Sequence, residues 1–241
     1  MTIAKVYRAT VSKDIGIPGS NEDTYCLRLR ETNPRAAVFD GASESFAARK
    51  WSRQLAEAWG RPPTRDWSWV EKAQERYTKN ISNMELSWAQ EAAVQRGSYS
   101  TIAYIIFDDN WLEFSAVGDS NIFLISGTSV RFSYPYVFES QFTSAPTALS
   151  SNPIDKRQNI ENLLTGMSRI QFKALETSHI LLATDAISAW LLHQDEELRI
   201  ERLRELMSCS TANDFKDLVI KERATHAMKI DDSTVVLLEL S

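Results

Sequence analysis

The chain has 241 residues, 43% of them hydrophobic and 10% aromatic, and its 27 basic and 32 acidic residues give a formal net charge of −5 at pH 7. This composition excludes intrinsic disorder and collagen-like sequence, and the net negative charge gives no general attraction to nucleic acid or anionic lipid. Length and composition together predict a single domain over residues 1–241.

Three strands and two helices are predicted for the first hundred residues. The strand-like runs are 5–11, 23–30 and 35–39. The first helix is predicted over 43–59, with Ser43 as its N-cap and Gly60 as its end. The second is predicted over 66–95, where apolar residues recur every three or four positions, and Gly97 should end it.

Strands dominate the predictions after residue 100. The runs 101–107 and 111–117 flank Asp108-Asp109-Asn110, which is typical of a hairpin turn. Further strands are predicted at 121–125, 129–134, 170–175, 179–183 and 234–240, and helices at 187–192, 196–207 and 214–223, the last capped by Thr211. Residues 143–159, with two prolines and many serines and threonines, predict a mobile loop. Strand groups that alternate with helices indicate an α+β fold, with helices packed on antiparallel sheets.

The features that indicate a cellular compartment favour the cytoplasm. The N-terminal segment lacks the apolar core of a secretory signal, and no apolar run approaches the roughly 18 residues that a membrane span requires. Cys26 and Cys209 are isolated in the sequence, as expected for two reduced thiols. We therefore expect a cytoplasmic protein that has neither a membrane nor a nucleic acid as a partner.

Acidic residues at the borders of apolar runs are the main chemical signal. The sequence contains no GxGxxG, GxxxxGK[ST] or GxSxG motif, and its three histidines are too scattered for a zinc signature. Acids instead border apolar runs at Glu22-Asp23, Asp40, Asp119, Asp185 and Asp231-Asp232. Each alone is typical of a turn or of a solvated strand end. Their recurrence over the whole chain indicates that the ends of several strands meet.

A cluster of these acids would require cations. Two carboxylates about 4 Å apart repel by about 4 kcal/mol at an effective dielectric constant of about 20. Oxygen ligands without histidine or cysteine favour Mg²⁺ or Mn²⁺ over zinc or copper. A site for two such ions would also account for Asp40-Gly41, since one carboxylate can bridge both ions and glycine lets the adjacent carbonyl approach.

Five short motifs resemble, in order and approximate spacing, those of the metal-dependent protein phosphatases of the PPM type, also called protein phosphatase 2C. They are Asn21-Glu22-Asp23, Val38-Phe39-Asp40-Gly41, Gly118-Asp119-Ser120, Ala183-Thr184-Asp185 and Asp231-Asp232-Ser233-Thr234. The chain resembles a divergent, bacterial-style member with a single domain. The resemblance implies a four-layer α-β-β-α sandwich, in which two antiparallel sheets are flanked by helix pairs, with a variable flap-like loop at about 143–165.

The resemblance also implies two Mn²⁺ or Mg²⁺ ions, and a weaker third, in a cleft at one edge of the sandwich. Seven metal-binding residues are carried over by position. Asp40 would bridge the first two ions, and the carbonyl of Gly41 would bind the second. Asp185 and Asp231 would bind the first ion, and Glu22 would act through a water molecule with Asp23 supporting it. Asp119 would bind the third ion together with Asp185. The implied catalytic residues are Asp40, Glu22 and Asp185.

The implied activity is hydrolysis of phosphoserine and phosphothreonine in proteins, with a hydroxide that bridges the metal ions as the nucleophile. The implied partners are a phosphorylated protein substrate and an opposing serine/threonine kinase, and we expect a monomer.

Four positions depart from the family's pattern: Pro18 replaces an arginine that binds phosphate, Ala42 an acid-type histidine, Asn121 an arginine and Ala186 a glycine. Losing a bidentate arginine weakens phosphate binding in principle. Arg35, Arg49, Lys13 and an unspecified loop residue are candidates to replace it, and the sequence does not choose among them. The departures also support an alternative hypothesis, a catalytically weak pseudophosphatase that binds phosphoproteins as a regulatory module. Hydrolysis of a small phosphorylated metabolite in the same site is a third alternative.

Overall fold

A computed structural model of the protein describes residues 2–17, 19–61, 68–142, 146–155, 168–171 and 176–241. The strands are β1 (Ile3–Val11), β2 (Thr24–Arg28), β3 (Arg35–Gly41), β4 (Tyr99–Asp108), β5 (Trp111–Val117), β6 (Asn121–Ser126), β7 (Ser129–Tyr134), β8 (Leu149–Ser150), β9 (Ser168–Gln171), β10 (His179–Ala183) and β11 (Ser233–Leu240). The α-helices are α1 (Ala48–Trp59), α2 (Ser68–Ser82), α3 (Trp88–Arg96), α4 (Asp185–Leu191), α5 (Glu196–Ser208) and α6 (Ala212–Ala224). The predicted α+β class is confirmed.

The strands form two antiparallel sheets. One sheet has five strands in the order β1-β11-β10-β6-β7. The other has six, in the order β2-β3-β4-β5-β9 with β8 paired to β4. Antiparallel pairing lets short turns join neighbouring strands, and β4 and β5 are joined in this way at the predicted hairpin, where Asp108 pairs with Trp111.

Apolar side chains form three layers, and these hold four layers of secondary structure together. Because side chains alternate along a strand, Phe39 of β3 faces α1 and α2, whereas Val38 faces the five-stranded sheet. On the far side of that sheet, Trp190 of α4 and Phe215 of α6 belong to a third layer. Full burial of one such side chain contributes about 1.5–3 kcal/mol. The predicted α-β-β-α sandwich is confirmed, with α1 and α2 on one side and α4, α5 and α6 on the other.

The first predicted helix begins later than expected. It was predicted to start at Ser43, but α1 begins at Ala48 after Ala47 in the left-handed conformation. The preceding segment follows the edge of β4 instead, because the amide of Ala42 donates to the carbonyl of Tyr99. The predicted end is confirmed, since the amide of Gly60 donates to a carbonyl of the last turn.

The second predicted helix, 66–95, is wrong as one continuous element. It is divided into α2 and α3, because Ser87 and Gln90 form a capping box that starts a new helix. Trp88 then lies outside the buried stripe and is 84% exposed. No residue of α3 is fully buried, although Val94 packs against the core layer beneath α1 and α2. The apolar repeat beyond Ile81 therefore does not continue the buried stripe of α2. The predicted end at Gly97 is confirmed, and this glycine has a φ of 86°.

Most later elements match their predictions to within two residues, and the cap at Thr211 is confirmed because its hydroxyl accepts from the amide of Asp214. The predicted strand at 170–175 overlaps β9, and 172–175 lie outside the described residues. Of the predicted loop and flap over 143–165, only 146–155 are described, and they contain the short strand β8. Pro18 is also outside the described residues.

The register brings one end of several strands to the same edge of the sandwich. In the six-stranded sheet β3 ends where β4 begins, since Gly41 pairs with Ser100, and the β4–β5 hairpin returns β5 to that edge. In the five-stranded sheet Ala183, the last residue of β10, pairs with Val235 near the start of β11. None of the helices in the described part of the chain has the length and apolar character needed to cross a bilayer.

Candidate active site

A cleft of about 1050 Å³ opens at this edge. Its lining includes five of the residues predicted from the sequence: Asp40, Gly41, Asp119, Asp185 and Asp231. These residues come from the ends of β3, β5 and β10 and from the turn before β11. Residues far apart in sequence therefore share one cavity because the register places their strand ends together. The other two predicted residues, Glu22 and Asp23, are not among those that line it.

The carboxylates in and beside the cleft repel one another. The pKa of Asp40 is raised well above its ordinary value, first by burial and then by the charges of Asp23, Asp185, Asp119 and Asp231. Burial also raises the pKa of Asp23, with Asp232 adding to the effect. The hydroxyl of Thr184 donates to Asp23 Oδ2 at 2.9 Å and opposes this shift. The cleft is therefore short of positive charge.

Lys229 supplies positive charge to one pair of these acids. Its Nζ donates to Asp185 Oδ2 at 2.9 Å and forms an ion pair with Asp231 Oδ2 at 2.7 Å. Burial alone would lower the pKa of Lys229, but the charges of Asp185 and Asp231 raise it. Burial raises the pKa of Asp185, and Lys229 opposes that shift. Lys229 was not predicted as a site residue, because its only signal in the sequence is its position two residues before Asp231.

Asp232 was also missed as a site residue, although it belongs to one of the five motifs. It is 3% exposed, and its carboxylate accepts from the amide of Lys13 at 2.7 Å and from the amide of Glu22 at 2.6 Å. Asp232 therefore attaches the segment after β1 and the Glu22 segment to the start of β11. The Glu22 carboxylate itself is paired with Lys13 Nζ at 2.7 Å.

The three residues named as candidates to replace the missing phosphate-binding arginine lie in different places. Arg35 is excluded, because it is 4% exposed at the start of β3 and pairs with Glu31. Arg49 donates to the carbonyl of Gly19, and Lys13 is bound to Glu22. Among the described residues, Arg96 at the end of α3 is the arginine that lines the cleft. It was not predicted from the sequence, since nothing local distinguishes it from a surface arginine.

Several solved phosphatase structures are similar to this chain over nearly its whole length. A bacterial serine phosphatase variant matches with a TM-score of 0.63 and 14% identity, and the match covers 100% of each chain. The catalytic domain of the serine/threonine protein phosphatase PstP, in complex with two manganese ions, matches with a TM-score of 0.60 and 18% identity over 97% of each chain. A serine/threonine phosphatase from Staphylococcus aureus matches with a TM-score of 0.58 and 14% identity over 100% of this chain and 98% of that chain.

The chain has the protein phosphatase 2C fold. No protein-family model matches it, and no curated protein matches it by sequence. The five sequence motifs and the fold agree with each other. At 14–18% sequence identity to the solved phosphatases, this likeness shows the fold and not an activity.

The donor set of this protein phosphatase 2C-like cleft suits a hard divalent cation. Its acids supply only oxygen, and Asp185 Oδ1 is buried with no hydrogen-bond partner in the described part of the chain. As the side chains stand, however, no three acidic, histidine or cysteine residues of the described ranges form a group that could hold an ion. Lys229 lies against two of the acids, Asp185 and Asp231, and its ammonium takes the place between their carboxylate oxygens.

Gly41 is placed where a side chain would disturb the cleft. A Cβ there would lie 2.9 Å from the carbonyl oxygen of Glu22 and 3.1 Å from that of Ala48, and both are backbone atoms. For the metal-dependent phosphatase activity proposed below, we expect Gly41→Ala to lower kcat/KM by about tenfold or more, because the end of β3 must shift and small misplacements are costly in catalysis. Gly16→Ala is the control, since no atom of the described residues lies within 4 Å of its Cβ position. Equal kcat/KM for both variants would contradict this placement.

The metal-free protein is expected to lose stability as pH rises. Burial, followed by the charge of Asp185, raises the pKa of Asp119 from 3.8 to about 7. The folded state thus binds this proton more tightly than the unfolded state, so the stabilisation is complete below the unfolded pKa and is lost as pH rises through about 7. Thermal unfolding in EDTA should show a Tm that falls from pH 5.5 to pH 8. Asp119→Asn should flatten that dependence, whereas Asp109→Asn at the β4–β5 turn should not; an unchanged slope in Asp119→Asn would contradict the shift.

Proposed function

We propose that the protein is a Mn²⁺- or Mg²⁺-dependent phosphatase that hydrolyses phosphoserine and phosphothreonine in proteins. The observation that carries this proposal is the cleft in which Asp40, Asp119, Asp185 and Asp231 meet. Carboxylates gathered in one site need cations, and the fold is that of phosphatases, one of which was solved with two manganese ions.

Asp40, Gly41, Asp185 and Asp231 would hold the two ions in this proposal. Glu22 and Asp23 would support them through water, and a third ion would bind more weakly at Asp119. When bound, such ions make a water molecule nucleophilic at neutral pH and offset the charge of the phosphoryl oxygens.

The chain's own residues would bind and orient the phosphorylated segment. Arg96 brings positive charge to the cleft, and Tyr99, Thr101 and Ser150, which carry hydroxyl groups, also line it. A volume of about 1050 Å³ is at the upper end of ordinary ligand pockets, which suits a phosphorylated side chain with its flanking residues. In this proposal the substrate is a cytoplasmic phosphoprotein, and the enzyme that phosphorylates it is a serine/threonine kinase. The phosphatase itself would act as a monomer.

A pseudophosphatase is the second candidate, and the contact of Lys229 with Asp185 and Asp231 favours it. An ammonium that already neutralises two of the acids lowers the need for a metal ion. In that case the cleft would bind phosphoprotein without turnover.

The deciding experiment measures hydrolysis of a phosphothreonine peptide, p-nitrophenyl phosphate and a set of small phosphorylated metabolites by the purified full chain, with Mn²⁺ and with EDTA. The proposal predicts peptide turnover in Mn²⁺ that EDTA abolishes. Tight Mn²⁺ binding without turnover of any substrate would identify a pseudophosphatase. Turnover of metabolites alone would indicate a small-molecule phosphatase.

A further inference from the structure

The Nζ atom of Lys229 lies where two carboxylates converge. It is 2.9 Å from Asp185 Oδ2 and 2.7 Å from Asp231 Oδ2. Both oxygens therefore point at one cationic atom, and a metal ion bound by the same two oxygens would occupy that place. Because like charges repel at short range, the ammonium and an ion cannot share it.

The backbone holds Lys229 in this position. The amide of Asp231 donates to the carbonyl of Lys229 at 3.1 Å, and the amide of Met228 donates to the carbonyl of Glu222 in α6. Met228 is 3% exposed and packs in the layer between the five-stranded sheet and its helices. The root of the lysine side chain is therefore fixed by the turn that follows α6.

The side chain of Lys229 has room to move away from the two carboxylates. It is 61% exposed, whereas the side chains of Asp185 and Asp231 are 13% and 25% exposed. The lysine stem thus borders solvent while its two partners stay in the cleft, so rotation about the side-chain bonds can withdraw the ammonium without movement of the backbone.

We propose that Lys229 is a tethered cation that neutralises Asp185 and Asp231 in the metal-free protein and competes with the metal ion for them. This inference rests on the proposed metal dependence and adds its regulation: the cleft stays neutralised when divalent ions are scarce, and an ion enters only as the lysine withdraws. Lys229 is then a residue that sets metal affinity rather than one that contacts the reacting phosphate.

The test compares Mn²⁺ binding to the wild-type chain, Lys229→Met and Lys221→Met by calorimetry. Lys221 is the matched control, because its side chain is 59% exposed and also pairs with two carboxylates, those of Glu205 and Glu222. We expect Lys229→Met to bind Mn²⁺ about tenfold more tightly or better, since a unit charge next to the ion is removed. Lys221→Met should stay within about twofold of wild type, as expected for a surface pair.

A second measurement uses the wild-type chain and does not depend on the stability of a variant. Lysine acetylation by acetic anhydride, followed by mass spectrometry, should label Lys229 faster in saturating Mg²⁺ than in EDTA, while labelling of Lys221 stays constant. In EDTA, Lys229→Met should also have a lower Tm than wild type, because two carboxylates lose their counter-charge.

The outcomes separate this inference from the proposed function. Equal Mn²⁺ affinity in wild type and Lys229→Met, or labelling of Lys229 that ignores Mg²⁺, would overturn the role of Lys229 and leave the metal site standing. Absence of Mn²⁺ binding in every variant would overturn the proposed metal dependence and this inference with it.

Discussion

Asp40→Asn is expected to reduce Mn²⁺-dependent dephosphorylation by about 10³-fold, the size of effect seen when a group that stabilises transition-state charge is removed. Asp40 is the penultimate residue of β3, and the charges of Asp23, Asp185, Asp119 and Asp231 act on it more strongly than those of other residues. Loss of its charge removes the proposed bridge between the two ions. The measurement is kcat/KM for a phosphothreonine peptide at saturating Mn²⁺.

The same substitution separates lost chemistry from lost folding. Because Asp40 is repelled by its neighbours, the neutral amide should leave the Tm in EDTA unchanged or raise it. Asp109→Asn is the control, since Asp109 lies in the β4–β5 turn with a φ of 47°, a conformation that asparagine tolerates. Retention of more than about a tenth of the activity in Asp40→Asn would exclude a bridging role, given the loss expected for such a group.

Trp51→Ala is expected to cause the largest loss of stability. Trp51 is fully buried, its indole nitrogen donates to the carbonyl of Leu149 at 2.8 Å, and its ring meets that of Tyr77 edge-on with centroids 5.5 Å apart. Truncating a buried tryptophan costs about 3–5 kcal/mol, against a total stability of about 5–15 kcal/mol for a typical domain. Urea unfolding at constant metal concentration measures this change.

Trp88 provides the control for that experiment. It is 84% exposed at the start of α3, so Trp88→Ala should change the free energy of unfolding by no more than about 0.5 kcal/mol. Similar losses for the two variants would mean that Trp51 is not the anchor between α1 and the β8 segment. Because Trp51→Ala lowers stability, it should also lower activity in proportion to the fraction of molecules that are unfolded. The cleft is affected with the rest of the fold, since β8 pairs with β4 next to it.

The strands were predictable because burial leaves a short-range pattern. β5 and β7 have the predicted bounds, and the β4–β5 turn is at Asp109-Asn110 as expected. The two-residue alternation and the turn chemistry are both local, so neither depends on distant parts of the chain. The same holds for the cap at Thr211.

Helix boundaries were less predictable, because two local signals competed. The apolar repeat after residue 66 favours one long helix, whereas Ser87 and Gln90 favour a new start. The capping box prevails because no residue of α3 is fully buried and only its later part, at Val94, packs against the core, whereas packing supplies most of a helix's stability in proteins. Only the structure shows that the repeat ends at Ile81.

The site was predictable in its acids and not in its cations. Asp40, Asp119, Asp185 and Asp231 stand at strand ends that the register brings together, and motif order identified them. Lys229 and Arg96 reach the cleft from a turn and a helix end, where sequence pattern does not show the direction of a long side chain. The metal-binding assignments of all seven residues remain predictions.

Diffraction from crystals grown with Mn²⁺, recorded at the manganese absorption edge, tests the central claim most directly, namely that these separated acids form one site for paired ions. We predict two anomalous peaks in the cleft, both contacting Asp40 and one of them also contacting Asp185 and Asp231 at about 2.0–2.2 Å, with Lys229 turned towards solvent. A protein that is active in the same Mn²⁺ concentration but has no anomalous peak in this cleft would contradict the account.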